Sequence, residues 1–529
     1  MKKQTKVLVT LSAAALLAVG FSAVSFAEGW DNSTGSWQYL DKNGEAVIDE
    51  WKTSNGQKFY LGDDGVMVTD SLIEDTTTSS NKTYYYYVDA NGAMVTNTWK
   101  AVALDGDENT DLDAEYWWYY FGSDGKAYTS SDNKLTKSKI KTINGLKYAF
   151  DEEGHMVYGW VEEEDLTQND DDDSKWKRAN YYFNGWNDGH AANGWLQLDV
   201  VDETSDETDK TYWFYFDGNG KKKTGRKKIN GKYYHFATDG HMIDEWDIEN
   251  EDGKPDGEWA DTQSTAASIS YLNGDGSERK NKWVWAVPTD KYLEKDNNDD
   301  EYSWWYFNKS GKLISNEIKK INGRKYAFDK YGRMLTGLVG EEKATNVWEN
   351  NKVANFTTAF ALDANDGEDP DSFTREDWIG QNLVYDNKNT TGVDLYYFGD
   401  DEKKDGSMKK GYQTITLDDG DYQFYFDAST GKASTGYVNK IKKYTVNGLV
   451  LKPTNDDDSN YAGITSDYKL HIGYSEIKNG DILVNKSGTV VKGKGKTVKD
   501  SDDAYFTVNE TGHVTATYPD KEAYDNRNK

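Results

Sequence analysis

The chain has 529 residues, with 19 Trp, 38 Tyr and 18 Phe but no cysteine, and a formal net charge of −30. The missing cysteine excludes disulfides, thiolate zinc sites and cysteine nucleophiles; the strong negative charge argues against nucleic acid and anionic membrane surfaces as partners. An aromatic share of 14 % beside a hydrophobic share of 36 % fits neither a disordered chain, which is poor in rings, nor a large enzyme core built on aliphatic residues.

In chain order, residues 1–27 read as a secretory signal peptide. Lys2, Lys3 and Lys6 form a basic head, Val7 to Val24 an apolar stretch, and Ser25-Phe26-Ala27 a small-x-small cleavage site. No later stretch is apolar for long enough to span a bilayer, and no Leu-Pro-x-Thr-Gly sorting signal occurs in the chain. The expected location is outside the cell, secreted or on the cell wall, with any attachment non-covalent.

From residue 28 one phrase recurs: an aromatic alternation, a few turn residues ending in glycine, and a short return strand. Trp37-Gln38-Tyr39-Leu40 precedes Gly44, Lys58-Phe59-Tyr60-Leu61 precedes Gly65, Trp213-Phe214-Tyr215-Phe216 precedes Gly220, and Trp304-Trp305-Tyr306-Phe307 precedes Gly311. Ring-rich strands separated by Asp/Asn-x-Gly turns predict β-hairpins. One hairpin cannot bury its rings alone, so many copies must stack.

A longer period is superimposed. Turn glycines at Gly44, Gly125, Gly220, Gly311, Gly406 and Gly488, and again at Gly65, Gly154, Gly240, Gly332, Gly431 and Gly512, recur about every 90 residues. The predicted fold is therefore an all-β solenoid of stacked β-hairpins, with about three hairpins per ~90-residue unit. Its repeats with acidic loop insertions fill residues 28–440, and degenerate repeats fill 441–529. No interval is left for a separate catalytic domain. The extra length of each unit is acidic: Val161 to Arg178, Asp199 to Asp209, Trp246 to Asp261, Asp296 to Glu301 and Asp363 to Asp371. Blocks of like charge repel, so these are expected as solvated loops; they would align as a ridge if three hairpins make one turn, as the resemblance given next implies.

Gly29-Trp30-x4-Gly35-x-Trp37-x-Tyr39-x4-Gly44 resembles the cell-wall-binding repeat of choline-binding and streptococcal glucan-binding proteins. Ile143-Asn144-Gly145 through Phe150, with Gly154-His155-Met156 and Gly159-Trp160, is similar to the repetitive domains of clostridial toxins. The resemblance extends over essentially the whole chain after residue 27. It implies a hairpin solenoid with ligand sites between successive hairpins, holding a protein on choline-bearing teichoic acid or on cell-wall polysaccharide. In such relatives aromatic faces box a quaternary ammonium through the ring quadrupole, worth ~0.5–2 kcal/mol per ring.

The ligand-binding candidates are Trp30, Trp37, Trp51 and Tyr60 from the first two hairpins, Trp160 with Tyr148, and Trp246 with Tyr234. Against each stands the reading that the ring is packing. Some units depart from the pattern. Lys147, Lys232 and Lys325 take the first aromatic position of one hairpin in three units, where a lysine would repel choline and remove a wall. The Gly-Trp pair becomes Glu245-Trp246 and Gly337-Leu338. Stacking of a sugar ring survives such changes better, so choline and sugar both remain open. Repeated weak sites gain avidity on a polymer.

Catalytic chemistry finds no support. The six histidines form no HExxH pair, no G-x-S-x-G elbow occurs, and Gly488-x4-Gly493-Lys494 puts Gly495 where a phosphate loop needs Ser or Thr. Asp105-x-Asp107-x-Asn109 begins like a calcium loop but lacks its glycine and its final carboxylate. No cofactor is expected beyond weak Ca²⁺ association with the acidic loops. The expected function is a non-catalytic surface protein that binds cell-wall polysaccharide or choline-bearing teichoic acid. The alternative is a structural spacer or host-glycan adhesin presenting the acidic ridge.

Overall fold

The computed structural model describes residues 7–9, 28–77, 82–104, 114–166, 172–202, 209–249, 255–256, 268–288, 302–345, 352–358, 379, 392–399, 405–417, 420–455 and 457–528. These are predominantly strands, arranged as many small antiparallel sheets of two or three strands and one of five. The chain divides into two compact units, one of residues 1–247 with 254–257 and 272–277, the other of the remainder.

The first unit is a succession of hairpins: Gly29–Asp31 with Gln38–Leu40, Glu50–Ser54 with Gln57–Leu61, Ser71–Thr77 with Lys82–Val88, and Thr98–Ala103 with Tyr116–Phe121. Lys141–Ile143 with Leu146–Tyr148, Gly159–Val161 with Tyr181–Phe183, Gly194–Val201 with Asp209–Phe216, and Gly225–Ile229 with Lys232–Phe236 continue it. The turn after each second strand is closed by its own acidic or amide residue. Asp41 Oδ1 accepts from the N–H of Asn43 and of Glu45 at 2.8 and 2.9 Å, while Gly44 sits at φ 79°. These bonds hold the Asp41 carboxyl below its usual range.

One backbone hydrogen bond docks each hairpin on the one before it. The residue two places after the turn glycine donates its N–H to a carbonyl of the preceding hairpin. Met67 reaches Trp37 (2.7 Å), Met94 reaches Lys58 (2.8 Å), Met156 reaches Trp118 (2.8 Å), Ala191 reaches Lys147 (2.8 Å), Lys222 reaches Asn180 (2.7 Å) and Met242 reaches Trp213 (2.7 Å). The side chain of that residue lies under the turn glycine of the next hairpin. A Cβ on Gly220 would stand 2.7 Å from the Cβ of Ala191, and one on Gly276 would stand 2.1 Å from the Met242 sulfur. The glycine is thus needed twice, for its positive φ and for the space it leaves.

The second unit begins the same way, with Lys282–Ala286 paired to Ser303–Phe307 and Glu317–Ile321 to Arg324–Phe328. Gly337–Thr345 then pairs with Gly392–Phe398, and a five-stranded sheet follows between Gly411 and Val450. Two three-stranded sheets, within 461–485 and 496–518, and the short helix Lys521–Asp525 end the described chain.

Some acidic segments depart from expectation. Val161–Arg178 is not simply a solvated loop: Leu166 is buried, and the short helix Lys175–Arg178 buries Trp176, whose Nε1 donates to the Val201 carbonyl at 2.8 Å. Two apolar residues within the acidic run provide the anchor, and Glu163 is neutralised by Lys221 at 2.6 Å. Residues 105–113, with the Asp105-x-Asp107-x-Asn109 sequence, lie outside the described residues, as do 296–301 and 363–371 and most of 199–209 and 246–261. Of residues 1–27 only Val7–Val9 is described, as an edge strand on Ser71–Ile73.

Candidate functional site

Strand alternation puts every second residue on one face, so a tryptophan in the first strand of a hairpin shares a face with the residue opposite it. In six hairpins that partner is tyrosine: Trp30 faces Tyr39, Trp51 faces Tyr60, Trp99 faces Tyr120, Trp160 faces Tyr182, Trp195 faces Tyr215 and Trp283 faces Tyr306. Centroid separations run from 4.8 to 5.4 Å.

The following hairpin adds a third ring to each pair. Phe59 stands 5.2 Å from Trp30, Tyr86 5.1 Å from Trp51, and Tyr148 4.9 Å from Trp99. Phe214 stands 5.1 Å from Trp160, Tyr234 4.8 Å from Trp195, and Tyr326 4.9 Å from Trp283. All six tryptophans are half-buried, so each keeps part of its ring accessible. Burial pushes the Tyr86 phenol up to about 12 and raises those of Tyr148, Tyr182 and Tyr306, which keeps them neutral. Rings set edge-on or tilted at such distances gain ~0.5–1.5 kcal/mol per pair beyond their buried area.

The residue two places after the turn glycine of that following hairpin holds the equivalent position in every case. It is Met67 for Trp30, Met94 for Trp51, Met156 for Trp99, Met242 for Trp195 and Met334 for Trp283. Met156 lies in one cluster with Trp99, Tyr120 and Tyr148, and Met334 in one with Trp283, Tyr306 and Tyr326. For Trp160 the residue is Lys222.

The sequence candidates distribute over these sets differently from their expected grouping. Trp30 and Trp51 centre two separate sets, and Tyr60 belongs to that of Trp51. Trp37 is half-buried and lends its carbonyl to Met67. Tyr148 joins Trp99 rather than Trp160, and Tyr234 joins Trp195 rather than Trp246, because the third ring comes from the hairpin after the tryptophan. Trp246 lies half-buried in Glu245–Glu249, beside a buried Asp247 that meets His235 at 2.5 Å.

Sequence reasoning missed Trp99, Trp195 and Trp283. Gly194-Trp195 is the Gly-Trp pair itself, whereas before Trp51, Trp99 and Trp283 the positive φ is supplied by Asp49, Asn97 and Asn281. An Asp/Asn-x-Trp pattern was the available signal. Two of the lysines expected to replace a wall instead reach out to a later turn. Lys147 bonds Asn219 Oδ1 at 2.7 Å and Lys232 pairs with Asp275 at 2.9 Å. Lys325 is exposed and lends its carbonyl to Met408.

Among the described residues no group of three or more His, Cys, Asp or Glu is placed to hold a metal ion. No described helix is long and apolar enough to cross a membrane.

Comparison with known proteins gives matches to repeats. The profile of the choline-binding repeat matches residues 47–99, and that of a cell wall binding repeat matches 118–127 and 227–242. Glucosyltransferase-S of Streptococcus mutans is 30 % identical over 213 residues, 40 % of this chain and 11 % of that protein. Glucosyltransferase-I of Streptococcus downei is 22 % identical over 92 % of this chain and 31 % of its own length. The chain thus spans about a tenth and about a third of these two curated relatives. Among solved structures, choline binding protein F of Streptococcus pneumoniae is similar at 17 % identity, covering 77 % of this chain and 98 % of that one, with a TM-score of 0.26. The two matching profiles are those of binding repeats.

Proposed function

The chain carries repeats of the choline-binding, cell-wall-binding family, and we propose that it attaches non-covalently to the bacterial surface through its tryptophan sets. The polymer bound is choline-bearing teichoic acid or a related cell-wall polysaccharide. The observation that carries this reading is recurrence. Six sets place the cross-strand tyrosine and a ring of the next hairpin each 4.8–5.4 Å, centroid to centroid, from the tryptophan. Half-buried rings in that arrangement offer π faces to a cation. A neutral, polarisable methionine packs with the rings in two of the sets and holds the equivalent position in three more. Weak sites repeated in this way hold a polymer by avidity.

The finer architecture belongs to the same proposal. Within each compact unit the stacked hairpins form a solenoid, with about three hairpins per ~90-residue turn, a reading supported by hairpin-on-hairpin hydrogen bonding and by the glycine spacing. Residues 1–27 are removed on export, and 441–529 are degenerate repeats.

A second reading, binding of a glucan or host glycan, is favoured by one observation. Tyr116, Trp213 and Tyr302 are exposed by 41, 41 and 57 %, and extend the ring-bearing face of three hairpins beyond the tryptophan sets. Sugar rings stack on such open platforms. The names of the glucosyltransferase relatives point the same way.

Retention of the protein on purified cell walls, competed with choline or with soluble glucan, separates the readings. Release by choline is expected, and a chain with Trp51→Leu and Trp99→Leu should be eluted by several-fold less choline, whereas Tyr412→Leu should behave as the parent. Release by glucan alone would favour the second reading; no retention would overturn both.

A further inference from the structure

Lys222 occupies the position that methionine holds in the other five tryptophan sets, and its setting is unlike that of the other lysines discussed. It is 7 % exposed. Its Nζ lies 5.1 Å from the centroid of the Trp160 ring and 5.9 Å from that of Phe214, the two rings that hairpin stacking brings together in this set. The ammonium donates to the Trp176 carbonyl at 2.6 Å. Its aliphatic stem runs under Gly240, where a Cβ would meet Lys222 Cδ at 2.6 Å. Asp239, the carboxylate whose charge acts on Lys222, is engaged by the His241 ring at 2.7 Å. The cation is therefore held by ring faces and a carbonyl, not by a salt bridge.

We propose that the Lys222 ammonium is a built-in ligand of the Trp160 set, which closes this one set to external cations while the five methionine-bearing sets stay open. The inference rests on the tryptophan sets being cation sites. It also shows that this set has room for an alkylammonium group between its ring faces. Two aromatic faces attract a cation through the ring quadrupole once water is excluded. A carbonyl accepts one of the ammonium protons, and the long aliphatic stem fills the volume methionine fills elsewhere. An external trimethylammonium group would have to displace this tethered cation, whose effective concentration at the site is far above any free ligand's. Burial pushes the Lys222 amine down to about 8, as expected for a cation whose compensation comes from rings and one carbonyl.

The test is residue-resolved. The full chain is labelled with 5-fluorotryptophan, and the ¹⁹F resonances of the six set tryptophans are assigned by single Trp→Leu substitutions. Choline chloride is then titrated in. In the parent the signals of Trp30, Trp51, Trp99, Trp195 and Trp283 should shift saturably, with that of Trp160 still. In Lys222→Met the Trp160 signal should join them, with a midpoint within about threefold of the other five. Lys222→Leu, which removes the ammonium but keeps an apolar side chain, serves if the methionine variant folds poorly, and should also free Trp160. A Trp160 signal that titrates in the parent like the rest, or stays still in both variants while the other five move, would overturn the inference alone. If none of the six signals moves in any variant, the cation-site reading falls and this inference falls with it.

Discussion

Hairpins before residue 330 and hairpins after residue 390 use the same backbone joint around different interiors. In the first group a tryptophan stands at the ring position of six hairpins. Later the position holds Leu338, Tyr412 or Tyr437, and the interior gains aliphatic side chains, with Leu395, Ile415, Leu417, Val446, Leu449 and Leu451 in one cluster beside Tyr397, Phe424 and Phe426. The joint is unchanged: Met408 N–H still reaches the Lys325 carbonyl, and Ala433 the Leu395 carbonyl, both at 2.8 Å. Tyr412 and Tyr437 are left exposed by 41 and 37 %. Stacking therefore does not require tryptophan. The tryptophans are thus an addition to the joint, repeated with near-constant spacing, and the proposed binding would use them.

The joint itself is the place where the largest effect is expected. Gly220→Ala combines a positive φ of 83° with a Cβ 2.7 Å from that of Ala191, a rigid neighbour that cannot swing away. The two hairpins must separate, at a cost of about 3–4 kcal/mol. Gly231→Ala has a similar φ of 87° but nothing within 4 Å of the new atom, so only backbone strain remains, about 1 kcal/mol. Urea unfolding of both variants checks the difference. Equal losses would mean that the turn glycines serve φ alone and that the joint is looser than the hydrogen bonds imply.

Lys222 provides the next effect in size, within the tryptophan-bearing group. Its folded pKa of about 8 lies below the ordinary 10.5. Below pH 8 both folded and unfolded states are protonated, and the folded state carries the full cost of a buried cation. Between pH 8 and 10.5 the unfolded chain binds the extra proton, so stability rises with pH across that window. The shift corresponds to a penalty on the order of 3 kcal/mol at neutral pH. Lys222→Met should raise Tm at pH 7 and flatten its rise between pH 7 and 9.5. A variant less stable than the parent at pH 7 would show that the ring faces more than repay desolvation.

The comparison also shows what could be read from the chain alone. The hairpins and turn glycines were legible because they are local: alternation, Asp/Asn-x-Gly and positive φ lie within a dozen residues. The resemblance to cell-wall-binding repeats was legible in Gly29-Trp30 through Gly44 for the same reason, and repeat profiles match elsewhere, at 47–99, 118–127 and 227–242. The membership of each set was not, because the third ring arrives from the next hairpin after an insertion of variable length. Tyr148 was therefore grouped with the tryptophan that follows it, Trp160, when hairpin order joins it to the one that precedes it, Trp99. Val161–Arg178 was misjudged for a related reason: its charges are local, but the pocket that buries Trp176 is made by residues such as Phe214. Lys222 carried no local signal, since a lysine two places after a turn glycine looks like any solvated residue until the neighbouring hairpin covers it.

The smallest expected effect separates two kinds of lysine. Lys232 was expected to stand in a ring position and repel a cation, but it reaches Asp275 in the next turn, with the two side chains 58 and 55 % exposed. The Asp275 carboxyl is held at about 2, first by the Ser277 hydroxyl and then by Lys232. Stability from a carboxylate with a lowered folded pKa is present above the unfolded value of 3.8 and is lost as pH falls through 2. An exposed pair is screened by solvent and salt, so Lys232→Met should lower Tm by about 1 °C or less at pH 7, and by nothing measurable at pH 2. Choline binding should be unchanged, since the lysine stands outside the ring sets and its charge is already paired. Lys222→Met, two hairpin strands earlier, should gain a site. If Lys232→Met also gained one, the lysines would be acting through their charge on the whole face. The distinction between a clamp on a turn and a cation inside a set would then dissolve.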